Sequence, residues 1–285
     1  MKFTIYQDSR VGGRKYNQDR LVCRCSPETL LMVVADGMGG HSDGDIAAQT
    51  ATTHIARFFD MAAKPRIGDP ESFLRTALLD AHRAVQALST GQPRPPHTTC
   101  VACLIQDGRA WWAHAGDSRL YLLRQGCLMA RTRDHSYVEA LLQKGLIDAA
   151  DLHHHPERNL VLSCLGAKQD PKIDFVAAYD LIAGDVVLLC TDGLWDAVRE
   201  KTLVDAMTRG DVMKVGPHLL NLAEANAGDN GDNLTLIALR WDGSDDGPVT
   251  VADYSATAPS LSDEEIERTT TEIRNRLNPE QRNDS

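Results

Sequence analysis

Leu31-Met32-Val33-Val34-Ala35-Asp36-Gly37-Met38-Gly39-Gly40-His41 opens as an unbroken apolar run and closes on an acid followed by three glycines in four residues. The run reads as a strand buried on both faces. Glycines at that density let the backbone turn sharply and leave its carbonyls and amides open to a ligand. An acid at the end of a buried strand is costly unless something pairs with it. A single case is explained by an Asp that hydrogen-bonds its own turn. Here the arrangement recurs at Gly116-Asp117, Asp192-Gly193 and Gly231-Asp232.

On the N-terminal side of this run, Phe3–Asp8 reads as a first strand. A glycine-rich loop through Gly12-Gly13-Arg14-Lys15-Tyr16-Asn17-Gln18-Asp19 follows, then a short strand at Leu21–Cys23. On the C-terminal side, Ser42 with Asp45 resembles a helix cap. Ile46, Ala47, Ala51, Ile55, Phe58 and Phe59 then recur at helical spacing, and a second such helix carries Phe73, Leu74, Ala77, Leu78, Ala81, Val85 and Leu88.

An all-β block comes next. Thr99–Ile105 and Arg109–Ala115 flank Asp107-Gly108, a hairpin signal, and Ser118–Leu123 follows Gly116-Asp117. Residues 131–160 are polar and histidine-rich, with a short helix around Tyr137–Lys144, and read as an inserted, mobile surface segment. Val186–Cys190 is another buried strand, two helices fill Glu200–Ala227, and Leu234–Trp241 is the last strand. Short strands in two groups separated by helix pairs predict an α+β fold with antiparallel sheets flanked by helices. A doubly wound parallel fold is disfavoured because strand and helix do not alternate.

The chain has 285 residues, 42% of them apolar, enough for one large domain with a full core. A formal net charge of −10 without a basic block argues against a nucleic-acid partner. No stretch approaches a membrane span, and the polar N-terminus is not a signal peptide. Seven cysteines without a framework point to a reducing cytoplasm. Cys100 and Cys103 lie three apart on a strand and so face opposite ways, and core packing is expected for all seven.

Asp36, Asp117, Asp192 and Asp232 each sit where a strand meets a glycine turn, and Asp19 adds a fifth acid beside Asn17 and Gln18. If these turns meet at one end of the sheets, the carboxylates repel one another unless cations hold them ionised. Oxygen donors without His or Cys select hard ions such as Mg²⁺ or Mn²⁺. Two ions sharing a carboxylate can generate a nucleophilic hydroxide at neutral pH and clamp a phosphoryl group. Arg14, five residues before Asp19, has the planar fork that grips a phosphate.

Arg14-x-x-Asn17-Gln18-Asp19, Asp36-Gly37-Met38-Gly39-Gly40-His41, Thr98-Thr99, Gly116-Asp117-Ser118-Arg119, Thr191-Asp192-Gly193-Leu194 and Asp232-Asn233 together resemble the ordered motifs of the metal-dependent type-2C serine/threonine protein phosphatases, the bacterial branch most closely. The resemblance spans about residues 5–241 and implies a four-layer α-β-β-α sandwich. It implies that Asp36 bridges two metal ions (Mn²⁺ or Mg²⁺), that the Gly37 carbonyl joins one of them, and that Asp192 and Asp232 complete the other. Asp117 with Asp192 matches a third, weaker ion, Arg14 the phosphate-binding arginine, and Asp19 an acid that orients metal-bound water. Residues 131–160 resemble a flap that tunes substrate access.

Met38 stands where eukaryotic relatives carry a His proposed as the leaving-group acid; His41 is a candidate for that role, with a metal-bound water as the alternative. The implied activity is hydrolysis of phosphoserine and phosphothreonine by a metal-bound hydroxide, on phosphoproteins made by a cognate Ser/Thr kinase, in a cytoplasmic monomer. Two other readings stand beside it: a catalytically weak relative that binds phosphoproteins or a kinase, and a phosphatase dedicated to one transcription regulator. Residues 242–285 lie outside the resemblance. They read as an acidic linker, a capping box at Ser262 and a thin helix with Ile266, Ile273 and Leu277, so the catalytic domain is expected to end near Trp241.

Overall fold

The computed structural model describes residues 1–39, 43–88, 95–152 and 154–243. The order begins with strands β1 (Lys2–Arg10), β2 (Asp19–Cys25) and β3 (Thr29–Met38), then helices α1 (Asp43–Ala62) and α2 (Pro70–Ala87). Five strands follow: β4 (His97–Thr98), β5 (Cys100–Gln106), β6 (Arg109–Ala115), β7 (Arg119–Arg124) and β8 (Cys127–Arg131). After α3 (Tyr137–Gln143) come β9 (Asp174–Asp180), β10 (Val186–Cys190), α4 (Asp192–Ala197), α5 (Glu200–Arg209), α6 (Val212–Ala227) and β11 (Leu234–Gly243).

All strand pairs are antiparallel. One sheet runs β1-β11-β10-β7-β8 and the other β2-β3-β5-β6-β9, with β4 paired to the end of β3. The period of two along a strand explains the layers. Leu31 and Val33 of β3, and Cys100, Ala102 and Leu104 of β5, pack under α1 and α2. Their neighbours Leu30, Met32, Val34, Val101, Cys103 and Ile105 face the other sheet. The third core lies between the first sheet and α4, α5 and α6. The fold is therefore the expected four-layer α-β-β-α sandwich. Each leucine, valine, isoleucine and methionine among these strand side chains contributes about 1.5–3 kcal/mol by leaving water.

Local signals account for the connections. Asp107 and Gly108 both have positive φ, 52° and 69°, as a two-residue hairpin turn requires. The Asp69 carboxylate accepts from the Ser72 amide at 3.1 Å and Pro70 starts α2, which fixes where that helix begins.

Several expectations need correction. Strand β3 does not stop at Asp36: Gly37 and Met38 pair with Thr98 and His97, so the acid lies inside the strand. Asp192 does not close a turn; it opens α4. Strands β4, β8 and β9 carry no signal that the sequence reading recognised. The segment 131–160 contains the expected helix, but its root is core: His135 and Ser136 are buried, and the His135 amide donates to the Gly116 carbonyl. Cys25 and Cys127 are exposed rather than packed inside. Ser42, His41 and the tail from 244 lie outside the described residues.

Candidate active site

The two sheets bring Asp19, Asp36, Asp117, Asp192 and Asp232 to one end of the sandwich. Asp19 and Asp36 are register partners across β2 and β3, which places them directly opposite each other. Asp36 is held by Thr98 and Thr99. Its amide donates to Thr99 Oγ1 (3.1 Å), and its carbonyl accepts from the Thr99 amide and from Thr98 Oγ1, both at 2.8 Å. Thr99 Oγ1 also shares a hydrogen bond with Ser118 Oγ at 2.7 Å, in which either hydroxyl can donate. One hydroxyl chain thus ties the backbone of Asp36 to the residue after Asp117. Gly116, at φ 108°, is packed against the Thr99 side chain; a Cβ there would lie 2.6 Å from Thr99 Cβ.

The other side of the site is built around Thr191 and Asn233. Thr191 Oγ1 donates to Asp19 Oδ2 at 2.8 Å and accepts from the Thr235 amide at 3.0 Å. That hydroxyl is turned to Asp19 and Thr235 and makes no capping bond to α4. Buried Asn233 takes the Gln18 amide on its Oδ1 (2.8 Å) and gives its Nδ2 protons to the carbonyls of Val11 and Tyr16. It thereby fixes the arginine loop to β11. Asn17 Oδ1 accepts from the Asp19 amide at 3.0 Å.

The Gly37 carbonyl is crowded by the start of α1. A Cβ on Gly44 would lie 2.6 Å from that oxygen, so only glycine at 44 leaves it approachable. Gly44, the two bonds of Thr191 and the hydroxyl chain were not among the expected site features. The signal for the last was the Thr98-Thr99 pair, quoted as a motif without a role.

The electrostatics follow from this crowding. Asp36 is held well above the usual carboxylate range, first by burial and then by Asp192, Asp19, Asp117 and Asp232. Asp192 is raised by burial, then by Asp117, Asp232 and Asp19. Burial pushes Asp19 up to about 6, with Thr235 and Thr191 pulling the other way. Burial and Asp134 push Asp117 up to about 7.

Arg14 closes a two-bonded fork on Asp232, Nε to Oδ1 at 3.0 Å and Nη2 to Oδ2 at 2.7 Å. Its side chain is 57% exposed. The acids therefore outnumber the cation beside them, and their donor atoms are all oxygen. That is the chemistry of a hard divalent cation site.

Three comparisons bear on this arrangement. A family model described as Protein phosphatase 2C matches residues 7–217. The serine/threonine protein phosphatase PstP of Mycobacterium tuberculosis is 34% identical over 235 residues, covering 81% of this chain and 43% of that protein. The chain thus spans less than half the length of that relative. The serine/threonine phosphatase stp of Listeria monocytogenes is 30% identical over 216 residues, covering 74% of this chain and 84% of its own. A crystal structure of the PstP catalytic domain in complex with two manganese ions shares the fold at a TM-score of 0.71 and 29% identity, covering 85% of this chain and 98% of that one. The chain belongs to the protein phosphatase 2C family.

Proposed function

We propose that residues 1–241 form a metal-dependent protein serine/threonine phosphatase that hydrolyses phosphoserine and phosphothreonine, with residues 242–285 outside the catalytic unit. The observation that carries this reading is the convergence of five acids and Arg14 at one end of the sandwich. Asp36, the Gly37 carbonyl, Asp192 and Asp232 would hold two Mn²⁺ or Mg²⁺ ions, and Asp117 with Asp192 a third, weaker one. Support comes from the mutual repulsion of the acids and from the manganese ions of PstP. Bound there, such ions supply Lewis acidity for phosphoryl transfer and acidify the attacking water.

The chain's own residues do the rest. The Arg14 guanidinium, more than half exposed, swings from Asp232 to present its fork to two phosphoryl oxygens. The β2–β3 register and Thr191 fix Asp19 opposite Asp36, where its carboxylate can orient a water. Thr98, Thr99 and Ser118 fix the spacing of Asp36 and Asp117 without contributing charge. The leaving-group proton is assigned to no described residue, since His41 lies outside them.

The substrates are phosphoproteins, and the counterpart is a Ser/Thr kinase. Seven free thiols and no disulfide suit a reducing compartment, which supports a cytoplasmic location. Among the described residues no helix is long and apolar enough to cross a membrane. A binding module that does not turn over phosphate has no use for five converging carboxylates. The test is turnover of a phosphothreonine peptide by the full chain. The rate should rise saturably with Mn²⁺ and vanish after EDTA and dialysis; activity that survives chelation overturns the reading.

A further inference from the structure

The described residues hold a second group of ligating side chains, apart from the acid end. His114 is the next-to-last residue of β6, His135 stands at the root of the 131–160 segment, and Asp174 opens β9. One nitrogen of each ring and one carboxylate oxygen lie within 4.8 Å of one another. The sheet supplies two of the three, because His114 and Asp174 are register partners on β6 and β9. The third is delivered by reciprocal hydrogen bonds to Gly116. The His135 amide donates to the Gly116 carbonyl (3.0 Å), and the Gly116 amide donates to His135 Nδ1 (3.3 Å). The two rings stack at 4.6 Å with 24° between planes, and both side chains are buried.

Valence shows which nitrogens are free. His114 Nε2 lies 2.7 Å from the Arg133 carbonyl, which can only accept, so Nε2 carries the proton and Nδ1 keeps its lone pair. That Nδ1 is buried with no hydrogen-bond partner. His135 Nε2 carries that ring's proton, because Nδ1 accepts from the Gly116 amide, and it faces Asp174 Oδ2 at 3.1 Å. A buried ring nitrogen left unpartnered, as His114 Nδ1 is, calls for an explanation.

We infer that His114, His135 and Asp174 form a binding site for a borderline transition-metal cation, Zn²⁺ being the best fit, separate from the all-oxygen acid end. Two imidazoles and a carboxylate with one position left for water are a zinc donor set, whereas Mg²⁺ favours oxygens alone. Burial lowers the pKa of both rings, His114 to about 4, so at neutral pH they are in the unprotonated form a metal needs. Asp174 Oδ2 is shared with Lys172 Nζ at 2.8 Å, so the cation competes with that lysine for the carboxylate.

The proton balance gives the site a consequence. Ligation through His135 Nε2 moves that ring's proton to Nδ1, and the Gly116 amide then loses its acceptor. Occupancy therefore breaks one of the two bonds that join the root of the 131–160 segment to the residue before Asp117.

The test uses the full chain in excess Mg²⁺, which occupies the acid end. Zn²⁺ is titrated by calorimetry, and Co²⁺ by visible absorption. One Zn²⁺ per chain should bind, and Co²⁺ should give the intense bands of a four-coordinate, imidazole-ligated ion. Asp174→Asn and His114→Gln should each weaken Zn²⁺ binding by about tenfold or more, with thermal melting in Mg²⁺ as the folding check. Asp174 is partly exposed, so its variant decides the matter if His114→Gln does not fold. No Zn²⁺ binding above the Mg²⁺ background, or equal binding by wild type and Asp174→Asn, overturns the assignment.

Discussion

Arg119 and Asp117 are two residues apart, yet the charges around them are treated in opposite ways. Arg119 and Asp134 are 12% and 9% exposed and meet through two bonds of 2.9 and 2.7 Å. A third guanidinium nitrogen donates to the Tyr121 hydroxyl at 3.1 Å, and the guanidinium carbon lies 3.6 Å from the centroid of the Trp195 ring. Burial works against the Arg119 charge, but Tyr121 and Asp134 outweigh it and hold its pKa above the ordinary value. Trp195 in turn donates its Nε1 proton to the Asp117 carbonyl at 3.0 Å. Each charged group in this knot has a partner within it. At the acid end, four carboxyls are left to repel one another. Buried charge that serves the fold is matched within the chain, and buried charge left unmatched is there for a ligand.

Removing charge from each region should separate the two roles, and the largest effect falls on turnover. Asp36→Asn should cut kcat on a phosphothreonine peptide by about a hundred- to a thousandfold, the scale of losing one electrostatic stabiliser of a transition state. Its melting temperature in EDTA should match or exceed that of the wild type, because the variant relieves repulsion. Near-normal turnover at saturating Mn²⁺ would remove Asp36 from the site. Arg119→Leu should do the reverse. It strands Asp134 in a buried place and should cost about 3–5 kcal/mol of stability, read by urea denaturation in Mg²⁺. A loss below 1 kcal/mol would show that the knot is not holding charge as its geometry implies.

These two residues also mark what was legible in the sequence. Asp36, Asp117, Asp192 and Asp232 announced themselves because each adjoins a glycine and a predicted strand. Arg119 stood inside a quoted motif, but its partner Asp134 is fifteen residues on in a polar segment, and nothing in the spacing pairs them. The buried strands were readable from continuous apolar runs such as Val186–Cys190. Strands β8 and β9 were not, because they are sheet edges: Cys127, Leu128 and Met129 are exposed, and no alternation survives. Gly37 misled as a turn signal. Its glycine character answers the close approach of Gly44, whose carbonyl oxygen would lie 2.0 Å from a Cβ at 37. The His114, His135 and Asp174 group was invisible for a further reason, since only strand register and the Gly116 bonds bring it together.

A smaller effect tests the acid end through pH. Asp19 and Asp117 hold protons in the folded chain up to about pH 6 and 7. Unfolded carboxyls lose theirs near pH 4. Between those values the folded state binds more protons than the unfolded one, so stability falls as pH rises. In EDTA the melting temperature should therefore drop by several degrees from pH 5 to pH 8. Saturating Mg²⁺ should abolish that slope, because cations replace the protons. A slope that survives Mg²⁺ would mean that the titrating groups lie elsewhere.

The smallest effect on stability is expected at Arg14, the one cation that touches both descriptions. Its bidentate bond to Asp232 has the geometry of the Arg119–Asp134 pair, yet the two side chains are 57% and 40% exposed. Exposed pairs contribute little, about 0–1 kcal/mol, however good their geometry. Arg14→Ala should thus leave the melting temperature nearly unchanged. What it should lose is the phosphate: KM for the peptide and the inhibition constant of free phosphate should both rise, by about tenfold, in line with a charge-assisted hydrogen bond worth about 1.5–3 kcal/mol. Arg14→Lys keeps the charge without the fork and should recover only part of the loss. If Arg14→Ala lowers stability as Arg119→Leu does and leaves both constants alone, Arg14 belongs with the structural pairs and the clamp must be sought elsewhere.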